Sequence, residues 1–112
     1  MDTLRVDQAV DALRPLGSEI SLHTWHRAPT YEVGVIAFHP RPDDDPREIC
    51  HAHRAVICHA LRGAGRLRLD GDALPVEPGT LYHIPPGTPH DFAATGTEPL
   101  VLLYTLITVP NG

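Results

Sequence analysis

Two stretches of this chain carry side chains whose types and spacing suit chemistry: His51-Ala52-His53, and Gly79-Thr-Leu-Tyr-His-Ile-Pro85-Pro-Gly87-Thr-Pro-His90. On an extended strand, residues i and i+2 face the same way, so the imidazoles of His51 and His53 are expected to aim at one point. The second stretch reads as a short apolar strand, a rigid Pro-Pro-Gly turn and a third histidine, His90, just past the turn. Two histidines from one strand and a third from another build a metal site with coordination positions left open. Open positions separate a catalytic metal from a structural one. Imidazole suits several first-row metals, so iron, zinc, manganese and nickel all answer to this set. A site of neutral imidazoles stays cationic and favours an anionic or carbonyl substrate bound at the metal.

Other polar residues carry weaker expectations. Tyr82 and His83 precede the turn, and strand alternation sends one inward and the other outward. An inward Tyr82 has a hydroxyl to offer a substrate, although packing is the commoner role of such a residue. His23 and Trp25 share a face of an early strand, at the mouth of a barrel or over an edge, with His26 beside them. His39 opens a proline-rich loop and is expected in solvent, as is the Asp43-Asp44-Asp45 run. Gly63-Ala-Gly65 is a hairpin signal and not a phosphate loop, because neither a lysine nor a helix follows it.

The elements that position these residues follow from periodicity. Val6, Val10 and Leu13 recur at helical spacing, with Asp2 or Thr3 as N-cap and Pro15-Leu-Gly17 as the stop, so a short amphipathic helix is expected over residues 3–14. From Glu19 onward the signal is β. Ile20 to His26 alternates, and Tyr31 to Phe38 is rich in β-branched and aromatic residues. Further strands are expected near 48–53, 55–61, 65–70, 73–76, 80–84, 89–93 and 99–108, with Asp70-Gly71 as a tight hairpin. Many short strands with frequent turns point to a sandwich or barrel.

Composition narrows the class. A chain of 112 residues makes one domain with a single modest core. A formal charge of −5, with no Lys/Arg cluster, argues against a nucleic-acid surface. No apolar run spans a membrane and no signal-like segment opens the chain, so a cytoplasmic protein is expected, with Cys50 and Cys58 as free thiols.

The residues from Glu48 to about Thr108 resemble the cupin superfamily, in particular its small single-domain members. The pattern G-x5-P-x-G-x2-H-x3-N is met by Gly79, Pro85, Gly87 and His90, with Ala94 in place of its final Asn. The other family pattern, G-x5-H-x-H-x3-4-E-x6-G, is met by His51 and His53, with Asp45 in place of its leading Gly and no glutamate. Counting places Cys58 or Val56 at the glutamate position, and His59 shares the histidines' face if the strand runs unbroken. The resemblance implies an all-β jelly-roll barrel over residues 1–112, with a helical segment at 1–17 and the barrel motifs at 48–108. It implies a divalent transition metal on His51, His53 and His90, with Cys58 or His59 as a fourth ligand.

Two functions remain open on the sequence. One is a metal-dependent enzyme of dioxygenase, isomerase or cyclase type acting on a small organic molecule, with Tyr82 and Cys58 as the catalytic candidates. The other is a non-catalytic binding or sensor domain, because residues 51–106 also resemble the sugar-sensing domain of AraC-type regulators. A homodimer is expected, with the 3–14 helix and the early strands supplying its apolar surface.

Overall fold

The computed structural model describes residues 1–43 and 47–110, so Asp45 and most of the acidic run lie outside the described residues. One helix, α1 (Val6–Asp11), precedes nine strands: β1 (Arg14–Pro15), β2 (Ile20–Arg27), β3 (Tyr31–Phe38), β4 (Arg54–Arg62), β5 (Gly65–Leu69), β6 (Asp72–Val76), β7 (Leu81–Ile84), β8 (His90–Ala94) and β9 (Leu100–Thr108). They form a six-stranded sheet in the order β1-β2-β3-β9-β4-β7 and a three-stranded sheet in the order β6-β5-β8. All pairings are antiparallel. This is the all-β jelly-roll architecture expected, with a short N-terminal helix.

Alternation along the strands sorts side chains between the two faces of the larger sheet. Even-numbered residues of β3, β4 and β9, such as Phe38, Val56, Ala60, Leu100 and Leu102, turn into the core. There they meet Leu67 of β5, Val76 of β6 and Phe92 of β8 from the smaller sheet. Phe38 and Phe92 bridge the two sheets with ring centroids 5.4 Å apart. The Asp70-Gly71 hairpin forms as expected, both residues having positive φ (51° and 88°), the requirement of a two-residue turn between right-twisted strands.

Two elements differ from the sequence-based expectation. The helix is shorter than 3–14: Arg5 is its N-cap, and the Gln8 carboxamide oxygen accepts the Arg5 backbone N–H at 3.1 Å. It stops at Asp11 because Arg14 and Pro15 are drawn into pairing with Leu22 and Ser21. The strand expected at 48–53 is reduced to a single bridge, Ile49 to His90, and the chain turns at Ala52 and His53 before β4 begins. His39 is also held rather than solvated, with its Nε2 2.8 Å from the Ser21 hydroxyl.

Candidate functional site

The missing strand decides how the histidines are placed. Because residues 51–53 turn, the same-face rule for i and i+2 does not operate there. His51 faces the barrel interior and lines its cavity, whereas His53 is exposed and does not. His51 and His90 are brought together instead by backbone contacts. Ile49 and His90 exchange hydrogen bonds at 2.7 and 2.9 Å, and the Gly87 N–H of the Pro-Pro-Gly turn donates to the His51 carbonyl at 2.8 Å. Gly87 has φ 76°, which a residue with a side chain adopts only under strain. The two imidazole rings lie 5.8 Å apart between centroids.

His90 is buried, and its Nδ1 lies 3.0 Å from the Thr88 carbonyl oxygen. A carbonyl only accepts, so Nδ1 carries the proton and neutral His90 keeps its lone pair on Nε2. The pKa of His51 is lowered by burial first, then by His90 and Arg54, with Glu32 opposing.

The cavity these histidines join has a volume of about 270 Å³. Most of its wall is aliphatic or aromatic, including Leu22, Ile36, Phe38, Leu102 and Leu106. Its remaining polar groups are Glu32 of β3, Tyr104 of β9 and the Cys58 thiol of β4. The Tyr104 hydroxyl donates to Glu32 Oε2 at 2.8 Å and lies 3.3 Å from the Thr24 hydroxyl. Arg27 Nε donates to the other carboxylate oxygen at 3.0 Å. Burial acts to raise the Glu32 pKa, but the Tyr104 and Arg27 hydrogen bonds and the charges of Arg27 and Arg54 outweigh it, and the net shift is downward. Burial, with Glu32 adding to it, pushes Tyr104 up to about 12. At neutral pH the cavity therefore presents an ionised carboxylate, an intact phenol and a neutral His51.

Glu32 and Tyr104 are the residues that sequence reasoning missed. The signal was there for Glu32: it is the single charge in the strand Tyr-Glu-Val-Gly-Val-Ile-Ala-Phe. Two inward residues in register, Gly34 and Tyr104, flank it.

The other sequence candidates are placed as follows. Cys58 and Val56 both line the cavity from β4, and burial pushes the Cys58 thiol up to about 12, so it stays protonated. His59 lies on the opposite face of β4, paired across the sheet with Leu81 and Leu103, because odd residues of that strand point outward. Tyr82 turns inward, but its hydroxyl donates to the Pro75 carbonyl at 3.0 Å and its ring meets Phe92 edge-on. That is a packing role, outside the cavity lining. His23 and Trp25 are likewise absent from the lining, and His26 Nε2 lies 3.2 Å from Asp2.

The donor set can be tested against a metal from these positions. Among the described residues no group of three His, Cys, Asp or Glu side chains is placed to hold one ion. His51 and His90 supply two imidazoles, His53 is turned out, Glu32 is engaged by Tyr104 and Arg27, and Cys58 is a protonated thiol. As arranged, these residues do not fit the three-histidine set.

Residues 34–106 match the cupin domain family, and the chain belongs to it. Over 57 residues it is 44% identical to the glucose-6-phosphate isomerase of Thermococcus gammatolerans, a match covering 46% of this chain and 30% of that enzyme. The corresponding isomerase of Thermococcus onnurineus is 40% identical over 57 residues, with the same coverage. The chain thus spans less than a third of the curated relatives it matches. Among solved structures, the TT1209 protein from Thermus thermophilus superposes with a TM-score of 0.77 at 17% identity, covering 98% of this chain and 100% of that one. KdgF from Halomonas sp. superposes with a TM-score of 0.72 at 18% identity, covering 85% and 84%. At these identities the likeness is one of fold. Among the described residues no helix is long and apolar enough to cross a membrane.

Proposed function

We propose that this cupin takes a compact, largely apolar molecule into its barrel, holds it by one polar end and moves a proton on it, in an isomerase- or cyclase-type reaction. The observation that carries this reading is the gathering of Glu32, Tyr104, His51 and His90 on one otherwise apolar cavity. The free lone pairs there belong to Glu32, to neutral His51 and to the Nε2 of His90 in its neutral form, so the ligand's polar end is a proton donor: an enol or a hydroxyl. Neutral His51 is the group suited to take a proton from carbon beside a carbonyl, because burial keeps it unprotonated at neutral pH. Glu32, held ionised by Arg27 and Tyr104, orients the donor.

The curated relatives are named as isomerases of a sugar phosphate, and proton transfer beside a carbonyl is the chemistry of such isomerisations. Their substrate does not carry over easily. A sugar phosphate brings several hydroxyls and a dianion, and each group left unpaired against an aliphatic wall costs about 1–3 kcal/mol.

The test is thermal unfolding in the presence of small aliphatic and aromatic hydroxyketones, enols and sugar phosphates. A ligand at ~100 times its Kd stabilises by about 2.7 kcal/mol, a rise of roughly 4–8 °C for a domain of this size. The apolar compounds are expected to raise the melting temperature, and Glu32→Gln and His51→Ala are expected to abolish the rise. Stabilisation by sugar phosphates alone would overturn the reading. Ligands that bind are then followed by NMR in D2O. Exchange of a C–H for deuterium marks an enzyme, and tight binding without exchange marks the alternative, a sensor domain.

A second reading places a divalent transition metal (iron, zinc, manganese or nickel) on His51 and His90, and it requires a third donor that the described residues do not present as arranged. It is favoured by the Thr88 carbonyl on His90 Nδ1, a contact that fixes a ligand imidazole's tautomer and leaves Nε2 for donation. Such a metal supplies Lewis-acid chemistry, or dioxygen chemistry if it is iron. On this reading, protein purified without chelator carries near one equivalent of metal, and the His51→Ala/His90→Ala double variant carries none. Substoichiometric metal that the double variant does not change, and that added metal does not restore, removes it. Uptake unaltered in His53→Ala assigns the third position elsewhere.

A further inference from the structure

Strand register sets where the cavity ends. Arg27, Glu32, Leu106, Val56 and Ile84 lie in one row across β2, β3, β9, β4 and β7. Glu32, Leu106 and Val56 of that row line the cavity, and no residue of these strands beyond them does, so the row is the rim. Arg54 stands one same-face step outside it on β4, opposite Thr108 of β9. Alternation gives Arg54 the face of Val56 and Cys58, the face turned to the cavity.

Three charged side chains therefore meet at this rim, and two of them are committed to each other. Arg27 pairs with Glu32 at 3.0 Å, and the other Glu32 oxygen accepts from Tyr104 at 2.8 Å. Arg54 is exposed, and among the described residues no carboxylate lies within ion-pair distance of it. Its charge still reaches the site. It adds to burial and His90 in lowering the His51 pKa. Against the opposing effect of burial, it joins Tyr104 and Arg27 in lowering that of Glu32. Glu32 and Arg54 are two strands apart and one same-face step along, about 10 Å by about 7 Å between Cα positions. Their long side chains shorten that span to the head of a small ligand.

On the proposed reading of the cavity, which this step requires, we infer that Arg54 is a specificity-determining residue that binds a carboxylate of the ligand at the rim. The ligand class narrows to hydroxy or enol acids with an apolar tail. The tail packs against Leu22, Ile36 and Leu102, Glu32 accepts from the hydroxyl or enol, and the carboxylate, a few carbons away, meets Arg54. A guanidinium takes a carboxylate through two parallel N–H bonds. At the rim the carboxylate keeps water on its outer side, so it escapes the desolvation that bars an anion from the aliphatic interior. One uncommitted guanidinium balances a monoanion, whereas a phosphate dianion leaves a charge facing Glu32.

Isothermal titration calorimetry of the full chain tests this with α- and β-hydroxyoctanoate against their neutral carboxamides. The better acid is expected to bind about tenfold tighter than its amide. In Arg54→Gln the ratio of the two dissociation constants is expected to fall to near one, and Arg54→Lys to restore part of it, as a charge without the fork. Arg62→Gln, at the other end of β4, is expected to keep the full ratio. Raising the salt to about 1 M, where the Debye length is ~3 Å, is expected to shrink it. Unliganded melting transitions verify that the variants fold. A ratio near one in the unaltered protein, or one unchanged in Arg54→Gln while Glu32→Gln still abolishes binding, overturns the role of Arg54 alone. A larger gain from β-hydroxyoctyl phosphate overturns the carboxylate. Failure of acids and amides alike to bind, or binding that survives Glu32→Gln and His51→Ala, overturns the cavity reading and the role of Arg54 with it.

Discussion

Replacing Asp91 with alanine is expected to cost about 3–5 kcal/mol, the range for removing one partner of a buried ion pair. Asp91 begins β8 beside His90, and its side chain is 3% exposed. Arg41 donates to both carboxylate oxygens, at 3.4 and 3.3 Å, and Arg66 Nη1 stands 3.6 Å from Oδ2. The Arg41 side chain is itself only 6% exposed. The contacts are long, so the loss does not come from strong bonds. It comes from removing the carboxylate that faces the buried Arg41 guanidinium. Against a total stability of roughly 5–15 kcal/mol for a domain, that removes much of what holds the fold. Chemical denaturation measures it directly. Asp91→Asn keeps one acceptor and is expected to lose less. Replacing Asp91 and Arg41 together by apolar residues of similar size is expected to recover part of the loss, because neither charge of that pair then remains to be desolvated. A loss below about 1 kcal/mol for Asp91→Ala would show that water solvates Arg41 as well as Asp91 does.

Some of this architecture was legible in the residue pattern and some was not, for definable reasons. Strands β2, β3 and β9 follow from alternation and β-branched content, and the Asp70-Gly71 hairpin follows from the two positive φ values that only such residues accept. The pairing of His90 with His51 was also within reach, since the Pro-Pro-Gly turn dictates where the chain re-enters. What the pattern missed lies at the ends of elements. Residues 48–53 look extended, yet only Ile49 finds a partner, and the backbone N–H of Gly87 takes the His51 carbonyl that a longer strand would have used. Periodicity carries no information about such competition, and it is what separates His53 from His51. Glu32 was overlooked because its meaning depends on Tyr104, 72 positions away, which the β3–β9 register places opposite Gly34, one same-face step from Glu32.

Gly34 is where the fold and the proposed site depend on the same few atoms, and Gly34→Ala is expected to damage both. The residue sits on β3 facing inward, paired with Thr24 on one side and Tyr104 on the other. With no side chain there, the Tyr104 ring lies across the β3 backbone and its hydroxyl reaches Glu32 and Thr24. An added methyl meets the His23 carbonyl oxygen, and it falls 2.7 Å from the Tyr104 hydroxyl oxygen and 2.8 Å from Cε1. The His23 carbonyl belongs to a paired strand and cannot retreat without breaking the ladder, so the Tyr104 ring has to move. Overpacking of this kind costs about 1–3 kcal/mol, and a clash with backbone places this site at the upper end. Displacing the ring also releases Glu32 from its shortest hydrogen bond, so ligand-induced stabilisation is expected to disappear with it. Tyr104→Phe separates the two effects: it removes the hydrogen bond at about 1 kcal/mol while leaving the ring in place. In the Gly34→Ala/Tyr104→Ala double variant the methyl has room on the ring side, so the combined loss is expected to fall short of the sum of the two single losses, the signature of residues in direct contact. Additive losses would mean that the strain at Gly34 comes from His23 alone and that the glycine serves the fold and not the site.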